Sequence, residues 1–557
     1  MKRFLWLGFV LFVYVICSGC GDTFRPIIIP NPPVFPNPQA AHTVLAINDN
    51  GTVVRGSAMV VDVSGDTDMS VANVGLAPVH AVQQTASQVL VVNHSVTGAV
   101  ADSITKLSFN SVIISGTTTI SLPPNSAPNF VAVAPSDTTA YVTLPNLVPD
   151  PVNFPNDNAV GVVNTLNNNM VATIRVGNNP FALAVTPDKS KLYVANQGDN
   201  TVKGFNTVYL SARTVNGSFN APVWVSARSD SQRVYVLNGT TGSPQDGVVS
   251  TIDTTSTAGP DNVIDASISV PGAASMLYDG NKNRLYIPWF NQSTMLGQLT
   301  ILDVSQSIPQ LLATIPIPPF TLLNIQQPVP AAATAVAALP DGSRAYVASY
   351  AVLPSQFNIS SVSGDGTTAT YSYTLTAGHD LNPGVTVTVT GTDTPTVTGF
   401  DGTYIVSAIV SGTPACPGVC FQAPNTATTP NGNPVPVSGS GTGSNIFPQV
   451  TVVNVSSNTI KTTVGIPGFP DATIPSSPYF VPVCAASATT RFRFNMAAGG
   501  DSSRAYLASC DGGNVNIIDT SNDTYIENLP APIGSRPPIP PSQQNPPQNP
   551  VFLIAGP

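Results

Sequence analysis

One short pattern recurs along this chain and constrains the fold more than any other feature. Two apolar runs flank a polar turn, and the second run ends near a small polar residue. The clearest copy is PFALAVTPDKSKLYVAN, from Pro180 to Asn196, and other copies begin at Pro128, Pro222 and Ala333. Pairs of short apolar runs joined by tight turns predict antiparallel hairpins, and their repetition predicts a repeat architecture.

The composition favours an all-β fold. Charged residues make up only 9 % of the 557 residues, and Glu527 is the single glutamate. Long helices need glutamate, lysine and leucine on their surfaces, whereas the Thr, Ser, Asn, Gly and Pro that replace them are typical of strands and turns. The net charge is −9 and no basic run is present, so the sequence predicts no nucleic-acid partner.

Alignment of the second apolar runs gives eight units. The aligned positions are Leu45, Leu90, Tyr141, Tyr193, Tyr235, Tyr286, Tyr346 and Tyr506. A third and a fourth run follow in the units, and four short strands at a period of about 40 to 50 residues are typical of a β-propeller blade. The C-terminal NPVFLIAGP at 549–557 fits the missing first strand of the unit around Leu45. We therefore expect the two chain ends to complete one blade.

These copies resemble the YVTN-type (YncE-like) β-propeller repeats found in bacterial surface and periplasmic proteins. The matching stretches are TPDKSKLYVAN at 186–196, RSDSQRVYVLN at 228–238 and LPDGSRAYVAS at 339–349. The resemblance covers most of 41–535 and implies a propeller, usually of seven blades, but no particular activity. The predicted fold is an all-β propeller of seven to eight four-stranded blades, eight by count.

The 160-residue interval between Tyr346 and Tyr506 contains an insertion. Residues 357–447 hold alternating runs, such as Val385–Thr390, without the repeat motif, and they predict a small β-sandwich or barrel between the second and third strands of one blade. The predicted domains are a signal peptide (1–19), a lipidated N-terminus with a proline-rich tether (20–40), the first part of the propeller (41–356), the inserted domain (357–447), the last part of the propeller (448–535), and a proline-rich linker with the closing strand (536–557).

The N-terminus has the features of a targeting segment. Lys2 and Arg3 precede an apolar stretch of 13 residues, 4–16, which is typical of a signal peptide. The following Cys-Ser-Gly-Cys resembles the lipobox of bacterial lipoproteins, although Cys17 stands where leucine is usual. This resemblance implies cleavage before Cys20, its lipidation, and a place at the bacterial cell envelope that faces the periplasm or the cell surface. The alternative is an ordinary secretory signal with a chance cysteine.

Four further cysteines agree with an oxidising compartment. They are Cys416, Cys420, Cys484 and Cys510. Among the three pairings that four cysteines allow, the short-range Cys416–Cys420 pair leaves Cys484–Cys510. A metal site is the alternative, but a CxxxC motif without a nearby histidine lacks a zinc ligand set. We predict disulfides.

A recurring acid–base pair lies in the same turn of several units. The pairs are Asp188/Lys191, Asp230/Arg233, Asp341/Arg344 and Asp501/Arg504, with Asp279/Arg284 as a variant. Equivalent turns of a propeller share one rim, so these pairs could form a charged ring that meets a ligand. We interpret them instead as hairpin turns in which the aspartate caps its own backbone and the cation stays solvated.

No other motif supports catalysis, a metal or a cofactor. The stretch DGNKN at 279–283 resembles the start of a calcium loop but lacks the later glycine and glutamate, and Asp66 and Asp68 are no stronger. The four histidines, His42, His80, His94 and His379, are too few for a copper cluster. Trp224, Trp289 and Phe290 fit core positions, with a sugar-stacking platform as the alternative.

The sequence thus favours a binding or scaffolding module that a lipid anchors to the membrane. A protein or carbohydrate partner would meet the propeller loops or the inserted domain. One alternative is a lactonase-like hydrolase, since lactonases use similar propellers, and another is a structural or adhesion protein of the envelope. The lining of the central channel discriminates between them, because three or more converging Asp, His or Arg side chains would favour the hydrolase.

Overall fold

The computed structural model of this protein describes residues 43–51, 53–94, 102–110, 112–239, 247–320, 328–414, 416–470, 493–535, 545 and 547–555. These ranges contain 39 β-strands and one short 3₁₀ helix, Pro430–Gly432. In this part of the chain no helix is long and apolar enough to cross a membrane. The all-β prediction is confirmed.

The described strands form eight sheets, which are numbered here as blades 1 to 8 along the chain. Blade 1 contains β1 (Thr43–Asp49), β2 (Arg55–Asp62) and β3 (Thr67–Leu76), and blade 2 contains β4 (Pro78–Thr85), β5 (Gln88–Asn93), β6 (Ser103–Asn110) and β7 (Ile113–Ser121). Blade 3 contains β8 (Val131–Val133), β9 (Thr139–Leu144), β10 (Ala159–Asn164) and β11 (Asn169–Arg175), and blade 4 contains β12 (Pro180–Val185), β13 (Lys191–Asn196), β14 (Thr201–Asn206) and β15 (Ala212–Arg213). Blade 5 contains β16 (Val215–Asn216), β17 (Pro222–Ala227), β18 (Arg233–Asn238), β19 (Val248–Asp253) and β20 (Asp261–Ser269), and blade 6 contains β21 (Leu277–Asp279), β22 (Arg284–Asn291), β23 (Leu296–Asp303) and β24 (Gln310–Pro316).

Blade 7 belongs to a ten-stranded sheet, and blade 8 has four strands. The strands of these two sheets are β25 (Ala332–Ala338), β26 (Arg344–Gly364), β27 (Thr368–Ala377), β28 (Thr386–Thr390), β29 (Gly402–Ile405), β30 (Ala408–Thr413), β31 (Cys416–Pro424), β32 (Val435–Asn454), β33 (Thr459–Gly465) and β34 (Phe469–Pro470); β35 (Phe494–Ala498), β36 (Arg504–Ser509), β37 (Asn514–Asp519) and β38 (Thr524–Pro530).

The last strand, β39 (Asn549–Ala555), returns to blade 1. It pairs antiparallel with β1, so that Leu45 lies opposite Ile554. Blade 1 is therefore built from both ends of the described chain, as predicted. This pairing covers the edge of β1 that would otherwise be open.

The blades form a closed ring because a hydrophobic cluster fills each junction between neighbours. Leu45 of blade 1 packs with Val91 of blade 2, and at the last junction Ile517 of blade 8 packs with Val61 of blade 1. Six further clusters join the intervening pairs of blades. Seven small sheets and the base of the ten-stranded sheet thus form the propeller. The count of eight is confirmed, whereas the resembled family usually has seven.

The first strand of each blade lies innermost. First strands of neighbouring blades contact each other, as β4 does with β8 and β39, and β12 with β8 and β17. Because successive strands run antiparallel, the first-to-second and third-to-fourth turns share one rim, here called the turn rim. The second-to-third turns and the links between blades share the other, here called the link rim. Strand β1 is the second strand of its blade, so the described chain starts at the turn rim.

The insertion leaves blade 7 at the link rim, between its second strand β26 and its third strand β32. Both strands continue beyond the blade and carry β27 to β31, in the order β29-β28-β32-β26-β27-β31-β30. The outer strands β29 and β30 are joined by only two residues, Val406 and Ser407. The two edges of the sheet must therefore lie close together, within about 10 Å.

The inserted strands therefore form one curled, nearly closed sheet, here called the inserted barrel, rather than two stacked sheets. Its interior is a separate hydrophobic cluster that includes Phe357, Tyr371, Phe400 and Phe421. The sequence predicted either a sandwich or a barrel, because alternating strands occur in both. Residues 351–364 of β26 extend beyond the blade, which allows a reach of up to about 45 Å from the link rim.

Candidate functional site

The central channel is the site at which a propeller hydrolase would hold its catalytic groups. Within the first strands that the structure describes, the acidic, basic or histidine side chains are His80 on β4 and Asp279 on β21. His80 is near the start of its strand and Asp279 at the end of another, so they belong to different rims. The described first strands do not bring three such groups together.

Aromatic rings on or beside the first strands pack against one another instead. His80 stacks on Phe130, with ring centroids 4.0 Å apart, and lies 4.7 Å from Phe552. Phe130 meets Trp224 edge to face at 5.6 Å. These four side chains, here called the aromatic arc, come from the first strands of blades 1, 2, 3 and 5, or from the residue directly before that strand in blade 3. The arc is a packed ring cluster whose one titratable group is His80.

A common local geometry positions the arc. In each case the ring lies two residues after a proline, in the sequences PVH, PNF, PVW and PVF. In blades 2 and 5 the proline faces the last asparagine of the second strand, and a one-residue bulge brings the ring opposite the preceding residue. Blade 4, which lies between the blades of Phe130 and Trp224, has the small residue Ala182 at this position. The Pro-x-aromatic repeat is the signal that sequence reasoning missed.

The other histidines stay apart from this arc. His94 follows β5, and burial, opposed by nearby Asp102, lowers its pKa. His379, in the inserted barrel, bonds to Ser355 and contacts Phe447 edge to face. No group of three His, Cys, Asp or Glu side chains in the described ranges is placed to hold a metal ion. His42 lies outside these ranges.

The aspartates of the recurring turns cap their own backbone, as predicted. Asp188 accepts hydrogen bonds from the hydroxyl of Thr186 and from the N–H and hydroxyl of Ser190. Asp230, Asp341 and Asp501 each accept the N–H two residues ahead. Burial opposes ionisation of Asp188, but these hydrogen bonds outweigh it and hold its pKa below the usual value.

The basic partners, by contrast, are not solvated, and that part of the prediction is wrong. Lys191, Arg233 and Arg504 are buried. Each reaches the third-to-fourth turn of the next blade, where backbone carbonyls and carboxylates accept its hydrogen bonds. The same holds for Arg284 and Arg344, so five consecutive junctions carry what we call an inter-blade clamp; the acceptors include Asp261, Ser307, Val455, Thr520 and Asp66.

Two clamps show how the geometry works. Arg504 of blade 8 donates from Nε and Nη2 to both carboxylate oxygens of Asp66 in blade 1, at 2.9 to 3.0 Å. Lys191 of blade 4 donates to Asp261 of blade 5 at 2.9 Å, and the hydroxyl of Tyr193 donates to the same carboxylate at 2.8 Å. Burial, together with this carboxylate, raises the pKa of Tyr193. The basic side chains of the turn rim therefore bond to the neighbouring blade.

The calcium-like stretch is one of these turns. Asp279 accepts the backbone N–H groups of Asn281 and Lys282, as in an Asx turn. Burial raises its pKa despite these hydrogen bonds. Asp66 belongs to the clamp with Arg504, and the neighbouring Asp68 is exposed on β3.

The remaining predicted residues have structural surroundings. Cys416 and Cys420 form a disulfide with an S–S distance of 2.07 Å, as predicted. Cys510 is also disulfide-bonded, but Cys484 lies outside the described residues, as does Cys20, so the Cys484–Cys510 pairing stays a prediction. Trp289 is buried and donates its indole N–H to Thr300.

No protein-family model matches the chain, and no curated protein matches it. Solved structures do match. Hydrazine synthase of Kuenenia stuttgartiensis is 14% identical with a TM-score of 0.43, covering 80% of this chain and 96% of that one. The dihydro-heme d1 dehydrogenase NirN is 10% identical with a TM-score of 0.48, covering 95% and 77%. The periplasmic gluconolactonase of Pseudomonas aeruginosa is 11% identical with a TM-score of 0.38, covering 56% and 92%. Similarities at this level say nothing about activity.

Proposed function

We propose that this protein is a lipid-anchored propeller of the bacterial cell envelope, related to the YVTN-type repeat proteins, and that it acts as a binding or scaffolding module. The propeller is the frame, and the inserted barrel carries recognition. The anchor is Cys20, followed by the proline-rich tether of residues 21–40. Two acyl chains on that cysteine would hold the protein stably at a membrane.

The observation that carries this proposal is that the described chain starts, and the inserted barrel leaves, at opposite rims of the propeller. The described chain starts with Thr43 at the turn rim, whereas the insertion leaves blade 7 at the link rim. A lipid attached ahead of residue 43 would therefore approach the propeller from one side and leave the barrel on the other. This placement suits a module that presents a binding domain away from the membrane that holds it.

The channel supports the same assignment. A hydrolase of the lactonase type would place acidic, basic and histidine groups together there. The first strands in the described ranges offer His80, in an aromatic stack, and Asp279, in a turn. No observation on this part of the chain favours the hydrolase.

Fractionation of cells that express cysteine variants tests the anchor. Cys20→Ala should move the protein from the detergent-requiring membrane fraction to the soluble envelope fraction, because the acyl chains would have no attachment. Cys17→Leu is the matched control, since it restores the usual lipobox residue and should leave the protein in the membrane fraction. A Cys20→Ala protein that still needs detergent would refute the lipid anchor.

A further inference from the structure

The inserted barrel contains a strand with an unusual alternation. Residues 438–444 of β32 read SGSGTGS. The glycines face the barrel interior, because a Cβ built on Gly441 would lie 2.4 Å from the ring of Phe357, and one on Gly439 would lie 2.4 Å from Thr392. The alternate residues Ser440 and Thr442 are exposed on the outer face. Close packing inside thus requires glycine at these two positions, and the alternate residues place hydroxyls outside.

The neighbouring strands continue this outer face in register. Thr442 lies between Thr388 of β28 and Gln356 of β26, and Ser440 lies between Thr390 and Asn358 of the same two strands. All six side chains are exposed. They form two rows of three on one sheet face, here called the hydroxyl grid. Thr390 and Ser440 are within hydrogen-bond distance of each other, at 3.4 Å.

The grid lies in a region without cations. Residues 357–447 contain no lysine or arginine, and their ionisable acids are four aspartates, Asp365, Asp380, Asp393 and Asp401. Asp393 and Asp401 accept hydrogen bonds from backbone N–H groups of their own loop. Typical soluble domains contain about 25 % charged residues. This surface therefore offers hydrogen bonds but nothing that attracts an anionic polymer.

We propose that the hydroxyl grid binds an uncharged polysaccharide, an inference that rests on the proposed function and names the ligand class of the inserted barrel. Hydroxyl and amide groups both donate and accept hydrogen bonds, as the hydroxyls of a sugar do. The columns of the grid repeat at the strand spacing, about 4.8 Å, which is close to the length of one sugar unit in an extended chain.

Two further properties suit this ligand. Three of the six residues are threonines, whose χ1 is restricted on a strand, so binding orders few side-chain rotamers. The grid also lies on the part of the molecule beyond the link rim, on the opposite side of the propeller from Thr43. A polymer in the envelope can reach it there while the proposed anchor holds the turn rim.

Affinity gel electrophoresis of the full mature chain in detergent tests the proposal. The gels contain hydroxyethylcellulose, dextran or galactomannan, with alginate as the anionic comparison. We expect retardation in at least one neutral polymer and none in alginate. The triple variant Thr388→Val, Thr390→Val, Thr442→Val should lower the affinity at least about tenfold, since it removes three hydroxyls and keeps the β-branched shape.

A matched control uses two exposed threonines on the outer strand of blade 2. Thr117→Val with Thr119→Val should leave the retardation unchanged. No retardation in any neutral polymer, equal retardation of the triple variant, or retardation in alginate alone would each overturn the proposal. The fractionation of Cys20→Ala tests the proposed function separately. A membrane-anchored chain that binds no polysaccharide would refute binding at the hydroxyl grid and leave the lipid anchor standing.

Discussion

The propeller and the inserted barrel use their polar side chains in opposite ways. At the turn rim, Arg504 and Lys191 are buried and bonded to the next blade. On the barrel, the side chains of Thr388, Thr442 and Asn358 are exposed on the outer face. The buried charges of the turn rim thus serve assembly of the ring, whereas the outer face of the barrel exposes uncharged polar groups.

The energetic consequence differs in the same way. A buried carboxylate that loses its cation keeps the full cost of its burial, so the clamps are sensitive to single substitutions. An exposed hydroxyl is hydrated in both the folded and the unfolded state. Substitutions at such positions usually change the free energy of unfolding by less than about 0.5 kcal/mol in either direction.

The largest effect is expected at the clamp between blades 8 and 1. Arg504→Met should lower the free energy of unfolding by about 3 kcal/mol, because the carboxylate of Asp66 would stay buried without its main cation. Urea denaturation measures the loss. Lys203→Met is the control: its side chain is 38% exposed in its pair with Asp157, and we expect a loss of at most about 1 kcal/mol. Equal losses in the two variants would show that the buried ion pair contributes no more than the exposed one.

A smaller effect is expected inside the barrel. Gly441→Ala should destabilise the barrel by about 1–3 kcal/mol, since its Cβ would meet the ring of Phe357. Hydrogen exchange should show faster opening of β28 and β32 and unchanged protection of blades 1 to 6. Gly116→Ala on β7 is the matched control, because a Cβ there has nothing within 4 Å. An equal loss of protection in blades 1 to 6 would contradict the prediction that the barrel opens independently of the propeller.

The pH dependence should come from the capping aspartates. The pKa of Asp188 is lowered in the folded protein, so its stabilisation is present above the unfolded-state pKa of about 3.9 and is lost as the pH falls through the lower folded value. Asp188→Asn should therefore flatten the loss of stability between pH 5 and 2, measured by thermal unfolding at each pH.

Asp279 supplies the control with the opposite sign. Burial raises its pKa, so the folded state binds this proton more tightly and gains stability as the pH falls through the folded value. Asp279→Asn should make the acid loss steeper, whereas Asp188→Asn makes it shallower. The same slope in both variants would contradict the opposite shifts of the two pKa values.

The smallest effect on stability is expected at the hydroxyl grid. The triple variant Thr388→Val, Thr390→Val, Thr442→Val should unfold in urea within about 1 kcal/mol of the unmodified chain, because all three side chains are exposed on β-strands, which valine also favours. A large loss of stability would mean that the hydroxyls are structural, as the charges of the turn rim are.

The ring itself was predictable from the sequence, because each blade repeats the same buried second strand. Tyr193 and Tyr346 identify this strand, and the short C-terminal run that pairs with Leu45 predicted the closure. The clamps were not predictable in the same way. The spacing of Asp188 and Lys191 describes one turn, whereas the acceptor Asp261 comes from the next blade and depends on how the blades pack.

The barrel and the channel were harder for a related reason. The glycine–hydroxyl alternation of 438–444 is visible in the sequence, but its meaning depends on Phe357, which lies about 80 residues earlier and packs against it only in the folded sheet. The rings of the aromatic arc lie on four blades. Their Pro-x-aromatic pattern becomes informative only when the first strands are placed around one channel.

The measurement that tests the division between frame and barrel most directly is hydrogen exchange of the full mature chain with and without hydroxyethylcellulose, or whichever neutral polymer retards the protein in gels. We predict added protection in 386–390, 351–360 and 438–444, with the propeller unchanged. Added protection in the first strands 78–85 and 222–227, beside His80 and Trp224, would contradict the account and assign binding to the channel.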